Sequence, residues 1–485
     1  MKYSIVTFGC RVNQADSLQL EEALLLEGAV PTAPEHAEVV IVNTCSVTAS
    51  ADQGARQTIR RVARANPSAS IVVTGCYATR QPDEVAALPG VVQVVANETK
   101  GDISKLLPLW SGGAVLRGRG ARADEARPAD ELPSTAERAV DGDGGCGAAI
   151  APGIMGRTAF TLRVQTGCGE PCAYCIIPTT RGTPRSVPIQ EIVREVTRIC
   201  AAGFKEIVLT GVHLGSYGAD HTPRSSLLAL LEALADLELD DVLFRLSSLE
   251  PMDCTPAIVG LVAERPCFAH HFHLPLQHAS PAMLTAMRRP YSIAKYAALV
   301  DDIRRRMPDA AIGSDLIVGF PGETAGDFEA LRTYLVDAPL THLHVFPYSD
   351  RPGTAAAALP DKVHGSAVRV RGREIRDISA RLTKRFHEHQ VGRRHRALAI
   401  DEGDSAVTGN YLKVKLDARQ PRNTWVVVEV GGAPSSLTGT VVATEGPVSL
   451  RKGDAGEELS GGVAPLVHHE LTAGGTDVPT AALPD

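Results

Sequence analysis

The sequence lacks an apolar run of the roughly 18–20 residues that a membrane-spanning helix needs. Its first residues, MKYSIVTF, alternate like a strand and lack the apolar segment and cleavage site of a signal peptide. These absences predict a cytoplasmic protein with no membrane partner. In that reducing compartment, the ten cysteines are expected to be metal ligands or buried apolar residues rather than disulfides.

An excess of positive charge is also missing, since the formal net charge is −7. The protein as a whole does not resemble a nucleic-acid binder, so any contact with RNA must be local. Residues 369–396 do contain ten Lys or Arg and three Asp or Glu, a local excess of +7. Arg56, Arg60 and Arg64 also recur at helical spacing. Both groups are candidate RNA contacts, with an ordinary solvated helix face as the alternative.

The 485 residues are too many for one core, and five segments of different character follow one another. Residues 1–110 alternate strand and helix patterns, which predicts a small parallel α/β domain. Residues 111–156 contain no aromatic residue and predict a flexible linker or insertion. Residues 157–390 return to strands and helices, residues 391–447 predict a small β-barrel, and residues 448–485 predict a disordered tail.

The predicted strands define the fold class. In the first segment they lie at 3–8, 39–42, 71–74 and 91–95, and in the third at 159–165, 206–210, 242–247, 271–275, 312–318 and 342–346. The small barrel contributes RALAID, YLKVKL, TWVVVEV and TGTVV. Six βα units suit an open, partial (βα)6 barrel, because a closed one has eight. We therefore predict an α/β protein with an N-terminal parallel domain, a partial barrel and a small C-terminal β-barrel.

Three cysteines, the first trio, fall within the loop GCGEPCAYCIIP: Cys168, Cys172 and Cys175. The loop follows a predicted strand, and ligands in parallel α/β folds gather at the carboxyl ends of strands. A closed zinc site would need a further Cys or His nearby, and the flanking residues offer none. A [4Fe-4S] cluster held by three thiolates, with one iron open to another ligand, suits the spacing. Three structural cysteines that cluster by coincidence are the weaker alternative.

Cys10, Cys45 and Cys76, the second trio, are far apart in sequence but occupy equivalent positions. Each comes just after a predicted strand of the first segment, so the thiols can converge at one edge of a parallel sheet. Gly9 and Gly75 precede two of them and allow tight turns. One such cysteine alone would more simply be a buried apolar residue, but three equivalent positions favour a second iron–sulfur cluster.

These cysteines lie in motifs that resemble those of the radical S-adenosylmethionine (SAM) methylthiotransferases, over nearly the whole chain except the insertion and the tail. The motifs are TFGCRVNQADS (7–17), NTCSVTASAD (43–52), VVTGCYA (72–78), GCGEPCAYCIIP (167–178), LTGVHLGSYG (209–218), RLSSLEP (245–251), HFHLPLQHAS (271–280), SDLIVGFPGET (314–324) and HVFPYSDRPGT (344–354). The last barrel resembles a TRAM domain, an RNA-binding module, mainly through GNYLKVKL (409–416). His278 departs from the family, in which many members carry Ser-Gly after HLPLQ, and we expect an ordinary polar contact there.

The resemblance implies two [4Fe-4S] clusters, one on each trio, with SAM chelated at the open iron of the first. One electron would cleave SAM to methionine and a 5′-deoxyadenosyl radical, while the second cluster would carry the inserted sulfur. The six cysteines are thus the expected catalytic and metal-binding residues. The expected SAM contacts are Tyr174, Gly211, Ser247, Glu250 and Gln277. A flavodoxin- or ferredoxin-type protein would donate electrons, and the sulfur source is left open.

The family has three familiar substrates: adenosine 37 of tRNA bearing isopentenyl, the same adenosine bearing threonylcarbamoyl, and an aspartate of a ribosomal protein. The runs CRVNQ, NTCSVT and HVFPYSDRPGT most resemble the threonylcarbamoyladenosine branch. That resemblance implies 2-methylthiolation of this base, with the tRNA anticodon stem-loop as partner. An iron–sulfur RNA-binding protein without turnover is the alternative outside enzymes.

Overall fold

A five-stranded parallel sheet, the first sheet, forms the N-terminal part of the computed structural model, which describes residues 1–103, 151–152, 157–239 and 241–444. Its strands are β1 (Lys2–Thr7), β2 (Val30–Pro31), β3 (Val39–Thr44), β4 (Ser70–Gly75) and β5 (Val91–Val95), in the order β2-β1-β3-β4-β5. The connecting helices are α1 (Arg11–Leu26), α2 (Ala49–Ala65), α3 (Cys76–Arg80) and α4 (Pro82–Ala86), with 3-10 turns at Pro34–His36 and Lys100–Asp102. All four predicted strands are present, and β2 adds a short edge strand.

Both faces of the first sheet are covered, which explains why β3 is apolar at consecutive positions. Val40 packs in one core with Ile59 of α2, whereas the next residue, Ile41, packs in the other core with Leu24 of α1. Successive side chains of a strand point to opposite faces, so one strand supplies both cores. The sheet therefore lies between two layers of helices, and the ends of its strands are the places where polar groups can be exposed.

Six parallel strands form the partial barrel. In chain order the elements are β6 (Phe160–Arg163), β7 (Gln165–Thr166), α5 (Ile177–Arg181), β8 (Arg185–Ser186), α6 (Ile189–Ala201), β9 (Glu206–Thr210), α7 (Leu227–Ala235), β10 (Leu243–Leu246), α8 (Pro256–Glu264), β11 (His271–His273), α9 (Pro281–Ala286), α10 (Ile293–Arg306), β12 (Ala311–Val318), α11 (Ala325–Asp337), β13 (His342–Pro347) and α12 (Gly365–Gln390), with 3-10 turns at Leu214–Ser216 and Ala355–Ala358. The strands β6, β9 and β10 form one sheet and β11, β12 and β13 another. Parallel bridges from Phe244 to Phe268 and from Ser248 to His273 join the two. The predicted α/β fold with a six-stranded partial barrel is therefore confirmed.

A single large core fills the space between the barrel strands and their helices. In α6, for example, Ile192, Val196 and Ile199 are buried, which is the spacing of one face of a helix. Other helices of the barrel also bury residues in this core. Since the helices and strands are used for packing, a functional site is expected in the loops at the carboxyl ends of the strands.

Five strands close into the C-terminal barrel, called the closed barrel. They are β14 (Arg394–Ile400), β15 (Ser405–Thr408), β16 (Lys413–Leu416), β17 (Trp425–Ala433) and β18 (Ser436–Thr444), in the order β14-β15-β16-β18-β17. Val426, Val428 and Val430 alternate into its core. The predicted small β-barrel is confirmed, with β15 as a strand that was not predicted.

Two predicted segments fall outside the described residues: the linker 111–156, apart from Ala151 and Pro152, and the tail 448–485. Across the part of the chain that is described, no helix combines the length and the apolar character needed to cross a bilayer.

Candidate functional site

The second trio converges at the carboxyl edge of the first sheet. Strands β1, β3 and β4 pair in parallel register, so their ends lie side by side. Cys10 and Cys45 follow β1 and β3, and Cys76 begins α3 directly after β4. A Cβ on Gly9 would lie 2.6 Å from Sγ of Cys45, which places the turn before Cys10 against that thiol. Burial chiefly, and also the Cys10 and Cys76 thiols, raise the pKa of Cys45 to about 12.

The first trio lies in the loop between β7 and α5. The backbone N–H of Cys175 donates to the carbonyl of Cys172 at 3.2 Å, and Sγ of Cys168 accepts from the N–H of Glu170 at 3.4 Å. Burial raises the pKa of Cys172 and that of Cys175, the latter to about 12, and the neighbouring thiols of the trio add to the effect. Buried thiols crowded in this way become thiolates most readily when they bind a metal.

The spacing of the sulfurs tests which metal the trios fit. Among the described residues, only His273, Asp315 and His344 bring three His, Cys, Asp or Glu ligand atoms within 4.8 Å of one another. The sulfurs of neither trio meet this limit, whereas two thiolates on one zinc lie about 3.8 Å apart at Zn–S bonds of about 2.3 Å. Neither trio therefore forms a compact single-ion site, and three thiolates are the donor set that holds a [4Fe-4S] cluster with one open iron.

Helix α5 brings the two trios into one site. Arg181, its last residue, is 3% exposed and interacts electrostatically with Cys76 of the second trio. The same guanidinium donates to Asn13 Oδ1 at 2.5 Å and to Asp16 Oδ2 at 3.1 Å. Asn97 adds a contact of 3.7 Å from Nδ2 to Sγ of Cys76. The segment that follows the first trio is thus anchored directly on the second.

A cavity of about 850 Å³, the large cavity, lies between the second trio and the partial barrel. Its lining combines cysteines of the trio with polar barrel residues, including Cys10, Arg11, Cys45, Gly211, Ser247, Ser248, His271, His273, Asp315, His342, His344 and Tyr411. A small cavity of about 150 Å³ adjoins it, since both are lined by Asp315 and Phe346, and it also contains Tyr174 and Gln277. The expected SAM contacts Gly211 and Ser247 therefore line the large cavity, whereas Tyr174 and Gln277 line the small one.

Glu250, the fifth expected SAM contact, lines neither of these two cavities and is placed by Arg289. The Arg289 guanidinium pairs with the Glu250 carboxylate and donates from Nη1 to Sγ of Cys172 at 3.1 Å. Burial raises the pKa of Cys172, and the charge of Arg289 opposes that rise. Sequence reasoning missed Arg289 because it lies in none of the motifs.

His213 is a second residue beside the first trio that sequence reasoning did not single out. Its Nε2 lies 2.8 Å from Oδ2 of Asp253. Burial alone would lower the pKa of His213, but hydrogen bonds to Asp253 and Cys168 outweigh it and raise the pKa to about 10. His213 lies within the motif LTGVHLGSYG (209–218), of which only Gly211 was expected to contact a cofactor. Its imidazole interacts with Cys168 of the first trio.

The barrel wall of the large cavity is built from imidazoles around one carboxylate. Oδ1 of Asp315 lies 3.0 Å from Nε2 of His273 and 3.1 Å from Nδ1 of His344. Burial alone would raise the pKa of Asp315, but these two imidazoles outweigh it and lower the pKa to about 2. The hydrogen bond to Asp315 raises the pKa of His344, whereas burial lowers the pKa of His342 to about 4. At neutral pH the wall thus offers both hydrogen-bond donors and acceptors.

His278 makes the ordinary polar contact expected of it. Its side chain is fully buried, and Nδ1 accepts from the backbone N–H of Ser280 at 3.0 Å. Burial lowers the pKa of His278 to about 4, so the imidazole is neutral at pH 7. A neutral, enclosed imidazole with a backbone partner is a structural element of the loop after β11.

The basic segment 369–396 is only partly available to a ligand. It comprises most of α12 and the start of β14, and several of its arginines already bind protein carboxylates or carbonyls: Arg371 to Glu323, Arg385 to Ala338, Arg393 to Asp309, Arg394 to Glu429 and Arg396 to Asp241. The exposed arginines of α12 without such a contact in the described chain are Arg369, Arg373, Arg376 and Arg381. In α2, Arg56 is likewise engaged, by Tyr77 and Glu84.

A parallel partial barrel with three cysteines in the loop after its first strand is the arrangement of the radical SAM superfamily, and residues 162–335 match that superfamily. Residues 2–97 match the family described as Uncharacterized protein family UPF0004. The radical S-adenosylmethionine methyltransferase TsrM of Kitasatospora setae is similar in fold, with a TM-score of 0.53 and 17% identity over 73% of this chain and 75% of that one.

The curated relatives narrow this class. Threonylcarbamoyladenosine tRNA methylthiotransferase MtaB of Aquifex aeolicus is 35% identical over 419 residues, which cover 86% of this chain and 96% of the relative. Ribosomal protein uS12 methylthiotransferase RimO of Roseiflexus castenholzii is 34% identical over 414 residues, 84% of this chain and 86% of the relative. The chain belongs to the methylthiotransferase family of radical SAM enzymes, as the motifs indicated. Membership implies SAM and [4Fe-4S] clusters as cofactors, which the two donor sets fit.

Proposed function

We propose that this methylthiotransferase converts N6-threonylcarbamoyladenosine at position 37 of tRNA to its 2-methylthio derivative. The observation that carries the proposal is the large cavity, which opens between Cys10 and Cys45 on one side and the barrel wall on the other. Its volume of about 850 Å³ suits a modified nucleoside. The choice of base rests on the MtaB relative, which this chain covers almost completely.

Each trio has a separate task in this proposal. Cys168, Cys172 and Cys175 would hold the cluster that binds SAM, and Cys10, Cys45 and Cys76 the cluster that carries sulfur. When bound, these groups supply a 5′-deoxyadenosyl radical for hydrogen abstraction and a methylated sulfur for insertion at C2.

The chain's own residues position these groups and the substrate. Arg289 and His213 hold the thiols of the first trio, and Arg181 does the same for Cys76. Tyr174 and Gln277 would contact SAM from the small cavity, and Gly211 and Ser247 would contact it from the large cavity. The imidazole wall would orient the base and its polar substituent.

The proposed partners follow from the same chemistry. The anticodon stem-loop would approach the large cavity, with the exposed arginines of α12 and the closed barrel as further contacts. The electron donor would be a flavodoxin- or ferredoxin-type protein, and the reaction would take place in the cytoplasm.

A second candidate substrate has specific support. RimO relatives are 33–34% identical to this chain, close to the 31–35% of the MtaB relatives, so a ribosomal-protein aspartate competes with the tRNA base. Isopentenyladenosine 37 is a weaker candidate, because the runs CRVNQ, NTCSVT and HVFPYSDRPGT most resemble the threonylcarbamoyladenosine branch.

Nucleoside mass spectrometry of tRNA from cells with and without this gene tests the proposal. We expect the 2-methylthio group to disappear from threonylcarbamoyladenosine and to return when the gene is restored. Loss of methylthiolation from isopentenyladenosine, or from ribosomal protein uS12 with unchanged tRNA, would assign the other substrate. Unchanged tRNA and unchanged uS12 would favour an RNA-binding protein without turnover.

A further inference from the structure

Tyr411 is an exposed aromatic residue at the boundary between two cavities. Its side chain is 46% exposed, and it lines both the large cavity and a second one of about 330 Å³, the outer cavity. Arg11 and Gln14 are the other residues that line both. The tyrosine ring therefore stands between the space that leads to the second trio and the space outside it.

The loop that carries Tyr411, between β15 and β16, is held firmly. Arg245, which is fully buried, donates from Nη1 to the carbonyl of Gly409 at 2.9 Å, and its Cζ lies 4.8 Å from the centre of the Tyr411 ring. Asn410 donates to the carbonyl of Asp309 at 2.9 Å. The closed barrel thus presents a preorganised ring to the partial barrel, so little conformational entropy would be lost when a ligand stacks on it.

Two arginines that form no ion pair within the described chain, Arg11 and Arg157, lie beside this ring. Arg11 donates from Nη2 to the Tyr411 hydroxyl at 3.0 Å. Burial and the nearby charge of Arg11 lower the pKa of Arg157, which lines the outer cavity. Within the described chain neither arginine forms an ion pair, and the acids of the outer cavity are engaged elsewhere: Glu206 by Arg245 and Asp401 by Lys413.

We propose that Tyr411 is a stacking platform for the nucleotide next to the reacting adenosine, and that Arg11 and Arg157 bind the phosphate that joins the two. This inference rests on the proposed tRNA substrate. A base that enters the large cavity leaves its stack, and its neighbour then loses a stacking partner. Every nucleobase can stack on an aromatic ring, and arginine suits the phosphate.

Fluorescence of an anticodon stem-loop tests the stacking. The hairpin carries 2-aminopurine on one side or the other of position 37, and it is titrated into the anaerobically reconstituted full-length protein. We expect quenching of one of the two reporters with the natural chain, with Tyr411→Phe and with Tyr411→Trp, but not with Tyr411→Ala. Affinity for the hairpin should fall about 5- to 100-fold in Tyr411→Ala only.

Salt dependence tests the phosphate contacts. Arg11→Gln and Arg157→Gln should each reduce the slope of log affinity against log salt by about one. Arg265→Gln is the matched control, because Arg265 is exposed and lines neither the large cavity nor the outer cavity. Val442→Ala, an exposed residue of the closed barrel, is the control for Tyr411.

The outcomes separate this inference from the substrate assignment. The stacking platform is wrong if Tyr411→Ala leaves both the quenching and the affinity unchanged. It is also wrong if Tyr411→Phe loses as much quenching and affinity as Tyr411→Ala. Either result would hold even if the enzyme methylthiolates tRNA. The natural chain could instead fail to bind the hairpin and bind and modify a peptide of ribosomal protein uS12. That result would overturn both the tRNA assignment and this inference.

Discussion

The turn before Cys76 depends on a glycine that cannot be replaced without moving its neighbours. Gly75 has φ +97°, a conformation that residues with a Cβ rarely adopt. A Cβ there would collide with the backbone N and O of Thr44 and with the side chain of Asn43, both at the end of β3. Because Cys45 directly follows β3, the same turn fixes two cysteines of the second trio.

Replacing Gly75 with alanine should therefore damage both the fold and the cluster. We expect Gly75→Ala to destabilise the protein by ~3 kcal/mol or more and to lower the iron content of the reconstituted chain. The matched control is Gly28→Ala, since Gly28 has φ +74° but no atom within 4 Å of an added Cβ. That control should cost about 1 kcal/mol and keep its iron. Thermal unfolding and iron analysis measure both, and equal effects of the two substitutions would refute the argument.

Individual residues of the site differed in how far the sequence could predict them. The six cysteines were predictable from the sequence alone. The first trio has a short spacing, and each cysteine of the second trio comes just after an apolar strand. Arg289 and Arg181 were not, since each reaches its cysteine from a separate loop or helix end and carries no spacing signal. His278 was anticipated as a polar contact, but its complete burial depends on packing that a sequence does not display.

At the scale of elements, α1 is joined to the partial barrel through one buried carboxylate. Asp16 of α1 lies 2.9 Å from Lys100 Nζ, 2.5 Å from Arg163 Nη1 of β6 and 3.1 Å from Arg181 Nη2 of α5. Its side chain is 1% exposed. Removing one partner of a buried charge network leaves the remaining charges uncompensated, which is strongly unfavourable.

Asp16→Asn should accordingly destabilise the protein by about 3–5 kcal/mol. Glu22→Gln is the matched control on the same helix, because Glu22 pairs with Arg198 but the two side chains are 21% and 39% exposed. We expect the control to cost about 1 kcal/mol or less. Thermal unfolding at neutral pH compares the two, and a control as damaging as Asp16→Asn would contradict the buried network.

The same carboxylate should give a distinct acid dependence. Burial would raise the pKa of Asp16, but the charges of Lys100, Arg181 and Arg163 outweigh it and lower the pKa from 3.8 to about 2. The stabilisation is therefore complete above about pH 4 and is lost as the pH falls through 2. The difference in melting temperature between the natural chain and Asp16→Asn should shrink over that interval. A difference that stays constant from neutral pH to pH 2 would show that Asp16 does not act through its charge.

Most elements were predictable because their apolar patterns are local. The ten strands predicted for the two α/β segments are present, since each has a continuous or alternating apolar run. The strands that were missed, β2, β8 and β15, span two, two and four residues, too few for a period to be recognised. All three are fixed by pairing with neighbouring strands instead, which is a tertiary effect.

For the whole molecule, the central feature is one cavity bordered by elements that are distant in the chain. Cys10 comes from the first sheet, Asp315 from the partial barrel and Tyr411 from the closed barrel, and all three line the large cavity. The family resemblance predicted that the three domains act in one reaction, but no pattern in the sequence predicted the contacts between them. Those contacts arise from side chains such as Arg181 and Arg245, which link segments more than 100 residues apart.

Metal analysis of the anaerobically reconstituted chain tests most directly whether each trio carries its own cluster. We predict about eight irons in the natural chain and about four when either trio is replaced by alanine. The variant that lacks Cys10, Cys45 and Cys76 should still cleave SAM, whereas the variant that lacks Cys168, Cys172 and Cys175 should not. Zinc in place of iron, or an iron content that does not change when the second trio is replaced, would contradict the account.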